Sequence, residues 1–182
     1  MCQICEEKPV YEFTNQRKLC KRCFINYFHK KLLYTIRKFN MVKQGETIAY
    51  KNANDVNSIV LKKMLELLAS KSRIKLVKLP HGKENKIALN SSLDLESEKV
   101  ILNLIDGNAV GLNNYLPIER KFIKPLYLFL DEEIILYAKL NNLKFKELSK
   151  KKNKTREFID SFEKNHPEAK RAIINSLLKI YS

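Results

Sequence analysis

A chain of 182 residues with 45% hydrophobic residues, 4 glycines and 5 prolines holds enough apolar side chains for one ordinary core and a small appendage, but is short for two full domains. This composition excludes collagen-like and low-complexity architectures. No apolar run approaches the roughly 18 residues that span a bilayer, and no secretory signal pattern opens the chain, so the expectation is a cytoplasmic protein without membrane contact. The formal charge of +15, from 35 Lys and Arg against 20 Asp and Glu, points to a polyanionic partner, nucleic acid first, although lysine-rich surfaces also serve solubility.

The chain opens with two C-x-x-C pairs, Cys2 with Cys5 and Cys20 with Cys23, separated by the fourteen residues 6–19. Each pair turns two thiolates toward one point, and two such turns close a tetrahedron. Four protein thiolates leave zinc no open position, so the expected ion is a structural Zn2+, with an iron–sulfur cluster as the rival for the same ligands. A reducing compartment argues against disulfides among the four. His29 is near enough in sequence to replace one ligand, but the tetrahedron is complete without it. Residues 9–13 alternate like one arm of a hairpin that returns the second pair to the first.

Phe24, Tyr27, Phe28, Leu32, Ile36 and Phe39 then fall at helical spacing and define a buried stripe, with Lys30, Lys31, Arg37 and Lys38 largely away from it. Together with Lys21 and Arg22 beside the metal ligands, these are the candidate RNA-facing residues. The alternative is a solvated face.

Beyond Met41 short strands alternate with helices. Residues 46–50 read as a strand, 52–55 as a turn with a capping residue, and 56–69 as a helix. Residues 74–79 and 86–89 are two further strands, with Pro80, His81 and Gly82 marking the turn between them. A helix capped by Asp94 or Ser92 runs to about residue 105 and stops at Gly107. Residues 122–124 add a strand, 131–140 a helix, and 154–164 and 168–181 two more, divided by Pro167. The basic run over 144–156, with Lys150, Lys151 and Lys152, reads as a mobile solvated loop. The expected architecture is α/β: a zinc finger and basic helix over residues 1–40, then a mainly parallel sheet with flanking helices over 41–182.

A double C-x-x-C finger, a basic aromatic helix, a strand ending in a loop, and Lys124-Pro125-Leu126 followed by Asp131-Glu132-Glu133-Ile134-Ile135-Leu136-Tyr137-Ala138 occur in that order. So arranged, and supported by the segments 100–107 and 162–167, the chain resembles the PP-loop ATP pyrophosphatases that 2-thiolate tRNA. The likeness runs over nearly its whole length. It implies a Rossmann-like sheet, shortened here between Leu79 and Lys86, and tRNA as partner. It also implies pairing of subunits, since in some lineages one member of the pair is degenerate.

In that family an S-G-G-x-D-S loop cradles ATP phosphates, because glycines let backbone N–H groups approach an anion at a helix N-terminus. The matching residues here are Lys51, Asn52, Ala53, Asn54, Asp55 and Val56, and only Asp55 survives. The family's G-H-N-x-x-D-E stretch corresponds to residues 90–96, where Asp94 and Glu96 remain but the Gly and His are lost. Two carboxylates at a helix start serve more often as cap and dipole partners than as metal ligands. The family also uses cysteines inside its catalytic domain, for an iron–sulfur cluster or as sulfur carriers, and no cysteine follows Cys23.

His29, His81 and His166 form no catalytic constellation, and Tyr137 reads as packing. The resemblance with these losses implies a pseudoenzyme without catalytic residues, in which ATP is not expected. It would keep zinc and tRNA and support an active PP-loop paralogue, or a second copy of itself. The alternatives are a divergent ATP-dependent tRNA sulfurtransferase or adenylating enzyme, and a stand-alone zinc-finger RNA-binding protein.

Overall fold

The computed structural model describes residues 1–146 and 154–181. The basic residues Lys150, Lys151 and Lys152, expected in a solvated loop, lie outside the described residues. Among the described residues no helix is long and apolar enough to cross a membrane.

The finger is built first. Strand β1 (Pro9–Glu12) pairs antiparallel with β2 (Lys18–Cys20), placing Pro9 opposite Cys20 and Glu12 opposite Lys18. Helix α1 (Lys21–Lys38) follows β2 without a loop and buries Phe24, Phe28, Leu32, Thr35 and Ile36 along one side. Thr35 is tolerated there because its hydroxyl donates to the Lys31 carbonyl at 2.8 Å. Arg37 and Lys38 stand at the helix's negative end, where cations are stabilised.

The body follows in the order β3 (Thr47–Tyr50), α2 (Val56–Lys71), β4 (Lys75–Lys78), β5 (Lys86–Ala88), α3 (Leu93–Ile105), a 3-10 helix (Ala109–Tyr115), β6 (Ile118–Glu119), β7 (Phe122–Ile123), α4 (Asp131–Leu140), α5 (Lys154–Asn165) and α6 (Ala169–Ile180). These strands form one five-stranded sheet in the order β4-β3-β5-β7-β6. β3, β4, β5 and β7 run parallel, and only the edge pair β6–β7 is antiparallel. The fold is mixed α/β with a mostly parallel sheet, as the alternation of elements predicts.

β4 and β5 do not pair with each other across the turn at Pro80. Each instead flanks β3, and residues 79–85 cross over without a helix. A parallel crossover usually takes a dozen or more residues and a helix, so this connection is a shortened one. The 3-10 helix and β6 went unread in the sequence because both are too short to leave a periodic pattern. Gly107 ends α3 as expected, at φ +69, with its N–H donating to the Leu104 carbonyl at 3.1 Å.

One core runs from the finger into the body. Cys2, Leu19, Cys20, Phe24 and Phe28 belong to the same buried cluster as Ile48, Val60, Leu65, Ile123, Phe129 and Tyr137. Met41, just past the basic helix, is wholly buried in it. A second cluster forms around Leu93 and Val100 of α3, Leu112, Tyr127, and Ile174 and Leu177 of α6. The segment leading into α4 feeds both, with Leu126 and Phe129 in the first core and Tyr127 in the second.

Candidate metal centre and nucleic-acid interface

The antiparallel pairing of β1 with β2 brings the second cysteine pair back onto the first. The Cys5 Sγ lies 3.7 Å from Cys2 Sγ, 3.3 Å from Cys20 Sγ and 3.5 Å from Cys23 Sγ. All four sulfurs fall within 4.8 Å of one another, an arrangement that can hold a metal ion. Zinc to sulfur bonds of about 2.3 Å in a tetrahedron put sulfurs about 3.8 Å apart, so the four residues fit a single ion of that kind.

Electrostatics also calls for a cation. Burial and the neighbouring thiols of Cys5 and Cys20 push the Cys23 thiol up to about 12. Burial also works against the Cys2 thiolate, but backbone hydrogen bonds from Ile4, Cys20 and Cys5 outweigh it and bring Cys2 down to about 6. Four adjacent thiolates repel one another, and a dication removes that penalty. Arg22 borders the cluster, and its pKa is raised by its hydrogen bond to Cys5 and by the charge of Glu7. His29 is no ligand: its Nε2 meets the Tyr137 hydroxyl at 2.9 Å.

The six proposed RNA-facing cations do not share one role. At 100° per residue, Arg22, Lys30, Leu33 and Arg37 line up opposite the buried stripe of α1, flanked by Tyr34 and Lys38. Lys21, Arg22, Lys30, Arg37 and Lys38 are exposed. Lys31 is not on that surface. Its side chain is 9% exposed and its ammonium lies 2.6 Å from Glu133 of α4, so it holds the basic helix to the body. Arg156, at the end of the second basic run, likewise faces inward: it is ion-paired with Asp131 and lies 3.9 Å from Glu98.

Lys51, Asn52, Ala53, Asn54 and Asp55 leave the carboxyl end of β3, and Val56 opens α2. Asp55 is the N-cap. Its carboxylate accepts the Ser58 N–H at 2.9 Å and the Ser58 hydroxyl at 2.7 Å, and the Asn90 amide donates to it at 3.2 Å. Asp55 thus caps α2, and residues 51–54 before it hold no glycine. Lys51 and Asn52 point to solvent.

At the second stretch, Ser92 rather than Asp94 caps α3, accepting the Leu95 N–H at 3.4 Å. Asp94 instead accepts the Asp131 N–H at 2.7 Å and the Lys170 ammonium at 2.6 Å. Lys170 is surrounded by Asp94, Asp160 and Glu163 at 2.6 to 2.9 Å. Burial disfavours its charge, but those carboxylates hold its pKa above the ordinary lysine value. Glu96 is fully buried between Lys124 at 2.6 Å and Lys99 at 2.9 Å. These carboxylates already have cations of their own.

No family model and no curated protein matches the chain. Among solved structures it matches the U34-tRNA thiolase NcsA from Methanococcus maripaludis with its 4Fe–4S cluster, at TM-score 0.79 and 19% identity, covering 98% of this chain and 86% of that one. At that identity the likeness shows the fold, which this chain shares. On this fold the Lys124-Pro125-Leu126 segment and the Glu133 to Tyr137 block serve as joints. Lys124 reaches α3 through Glu96, Glu133 reaches α1 through Lys31, and Tyr137 stacks on Phe28 with centroids 4.2 Å apart. Sequence reading missed Tyr34, an exposed ring four residues from both Lys30 and Lys38, a spacing that puts all three on one stretch of helix surface. It also missed Asn90 as the partner of Asp55, which only the parallel pairing of β3 with β5 reveals.

Proposed function

We propose that this chain is a non-catalytic subunit related to tRNA thiolation, which binds zinc and tRNA and supports an active PP-loop partner in the cytoplasm. The observation that carries the proposal is the loop between β3 and α2. It has no glycine: Asn52 and Ala53 stand where the resembling family has the two glycines that let backbone N–H groups approach a phosphate. The absence of any cysteine after Cys23 supports the same reading, because sulfur relay needs a thiol outside the finger.

The fold likeness to a tRNA thiolase supplies the substrate class, and the exposed Lys21, Arg22, Lys30, Arg37 and Lys38 supply the cations for its backbone. In this reading residues 1–40 are the metal-binding, RNA-facing part and residues 41–182 the degenerate PP-loop part. The ion is zinc, held by Cys2, Cys5, Cys20 and Cys23. Their sulfur separations suit one tetrahedral ion, whereas a 4Fe–4S cluster needs its thiolates farther apart. The partner is an active PP-loop paralogue, or a second copy of this chain.

The test is reconstitution. The chain alone, given tRNA, magnesium-ATP and a sulfide source, yields no thiolated nucleotide, and the tagged chain recovers a PP-loop protein from native extract. Thiolated tRNA made by the isolated chain overturns the reading.

A further inference from the structure

Three concavities meet at Lys38. One of about 610 Å3 runs between the end of α1 and α6, with Phe39, Asn175, Lys179 and Tyr181 among its walls. A second of about 250 Å3 passes between Tyr34 and Asn175, and a third of about 460 Å3 lies along Lys30, Tyr34 and Arg37. Lys38 lines all three, Asn175 the first and second, and Tyr34 the second and third, so they adjoin as branches of one cleft surface. Two of its branches lie within the roughly 300–1,000 Å3 typical of small-ligand sites.

Its chemistry is specific. Tyr34 is 55% exposed and Tyr181 43% exposed, although each presents a large ring to water. The Lys38 ammonium lies 5.7 Å from the centroid of Tyr34 and 5.4 Å from that of Phe39, so cation and ring faces are offered together. Phe39 is held edge-on against the buried Tyr127 at 5.8 Å, which gives the cleft a fixed wall. The cleft also continues from the basic face of α1, on a chain of net charge +15.

We propose that this cleft takes unpaired nucleotides of an RNA, with bases stacked on Tyr34 and Tyr181 and phosphates drawn to Lys38 and neighbouring cations. A nucleotide has both a flat π face and a charged backbone, which an exposed ring beside an ammonium is suited to bind. A paired duplex would meet the cations but keep its base faces inside the helix. The proposal rests on the RNA-binding reading above and adds to it the class of RNA segment and the place of contact.

The experiment uses the full chain and fluorescence anisotropy with three probes: a labelled oligouridylate, a fully paired RNA duplex of equal length, and a tRNA transcript. Tyr34→Ala with Tyr181→Ala weakens oligouridylate binding about tenfold or more, while duplex binding changes less than about twofold and serves as the folding control. Tyr34→Phe with Tyr181→Phe retains binding, because stacking needs the ring and not the hydroxyl. If the alanine variant binds oligouridylate like the wild type while tRNA still binds, the cleft proposal is overturned and the RNA-binding reading stands. Equal weakening of all three probes refutes stacking. If the wild type binds none of the three, both readings fall.

Discussion

The Lys31 ammonium on α1 lies 2.8 and 2.6 Å from the two carboxylate oxygens of Glu133 on α4, and the Glu133 side chain has no exposed surface. The Tyr27 hydroxyl at 3.0 Å and the Leu130 N–H at 2.9 Å also donate to this carboxylate. Such a pair is costly to break from one side, because the remaining charge stays buried without its partner. Lys31→Met alone should cost about 3–5 kcal/mol in urea unfolding, and Lys31→Met with Glu133→Leu should recover most of it. A single variant of wild-type stability would show that the pair does not join finger helix to body.

This relationship marks the limit of what could be read from the sequence. The cysteine spacing, the buried stripe of α1 and the alternation into a parallel sheet are patterns of spacing along the chain, and each is visible without knowing which elements pack together. Lys31 was grouped with Lys30 because the two are adjacent on a basic helix, yet a 100° step separates outward from inward. Its partner is 102 residues away, and nothing local to Lys31 announces it. The same holds for Lys124 with Glu96 and Lys170 with Asp94. Asp55 was recognisable as the surviving acidic residue of a phosphate loop, but its bond to Asn90 depends on β5 lying beside β3.

The metal site gives a compositional test. Purified chain should carry about one zinc per molecule and show no visible absorption of an iron–sulfur cluster. Strong chelation should lower its melting temperature, because Cys2, Cys20 and Cys23 are part of the main core. Iron and inorganic sulfide in place of zinc would contradict the assignment.

Replacing Arg22, Lys30, Arg37 and Lys38 together by glutamine should weaken tRNA binding and flatten its dependence on salt. Each lost phosphate contact removes somewhat less than one unit from the slope of log K against log salt, so the total change is about two to four units. An unchanged slope would assign this face of α1 to solvent.

His29 offers a pH test. Burial first, then the charges of Lys71 and Lys63, hold its pKa below the ordinary 6.5. Between the folded and unfolded values the unfolded chain binds more protons, so the contribution of neutral His29 is complete above the unfolded value and is lost as pH falls toward the folded one. The melting-temperature advantage of wild type over His29→Gln should therefore shrink from about pH 7.5 to about pH 5.5. Loss of a metal from the four cysteines would affect both proteins alike and cancel in the difference. An advantage that grows on acidification would mean that His29 is favoured charged.

The central claim is that the β3–α2 loop does not grip a nucleotide, because Asn52 and Ala53 put side chains where glycines would admit phosphate. Titration calorimetry of magnesium-ATP into the metal-loaded chain measures this directly. The account predicts no heat of binding into the millimolar range, and saturable, magnesium-dependent binding at micromolar ATP would contradict it.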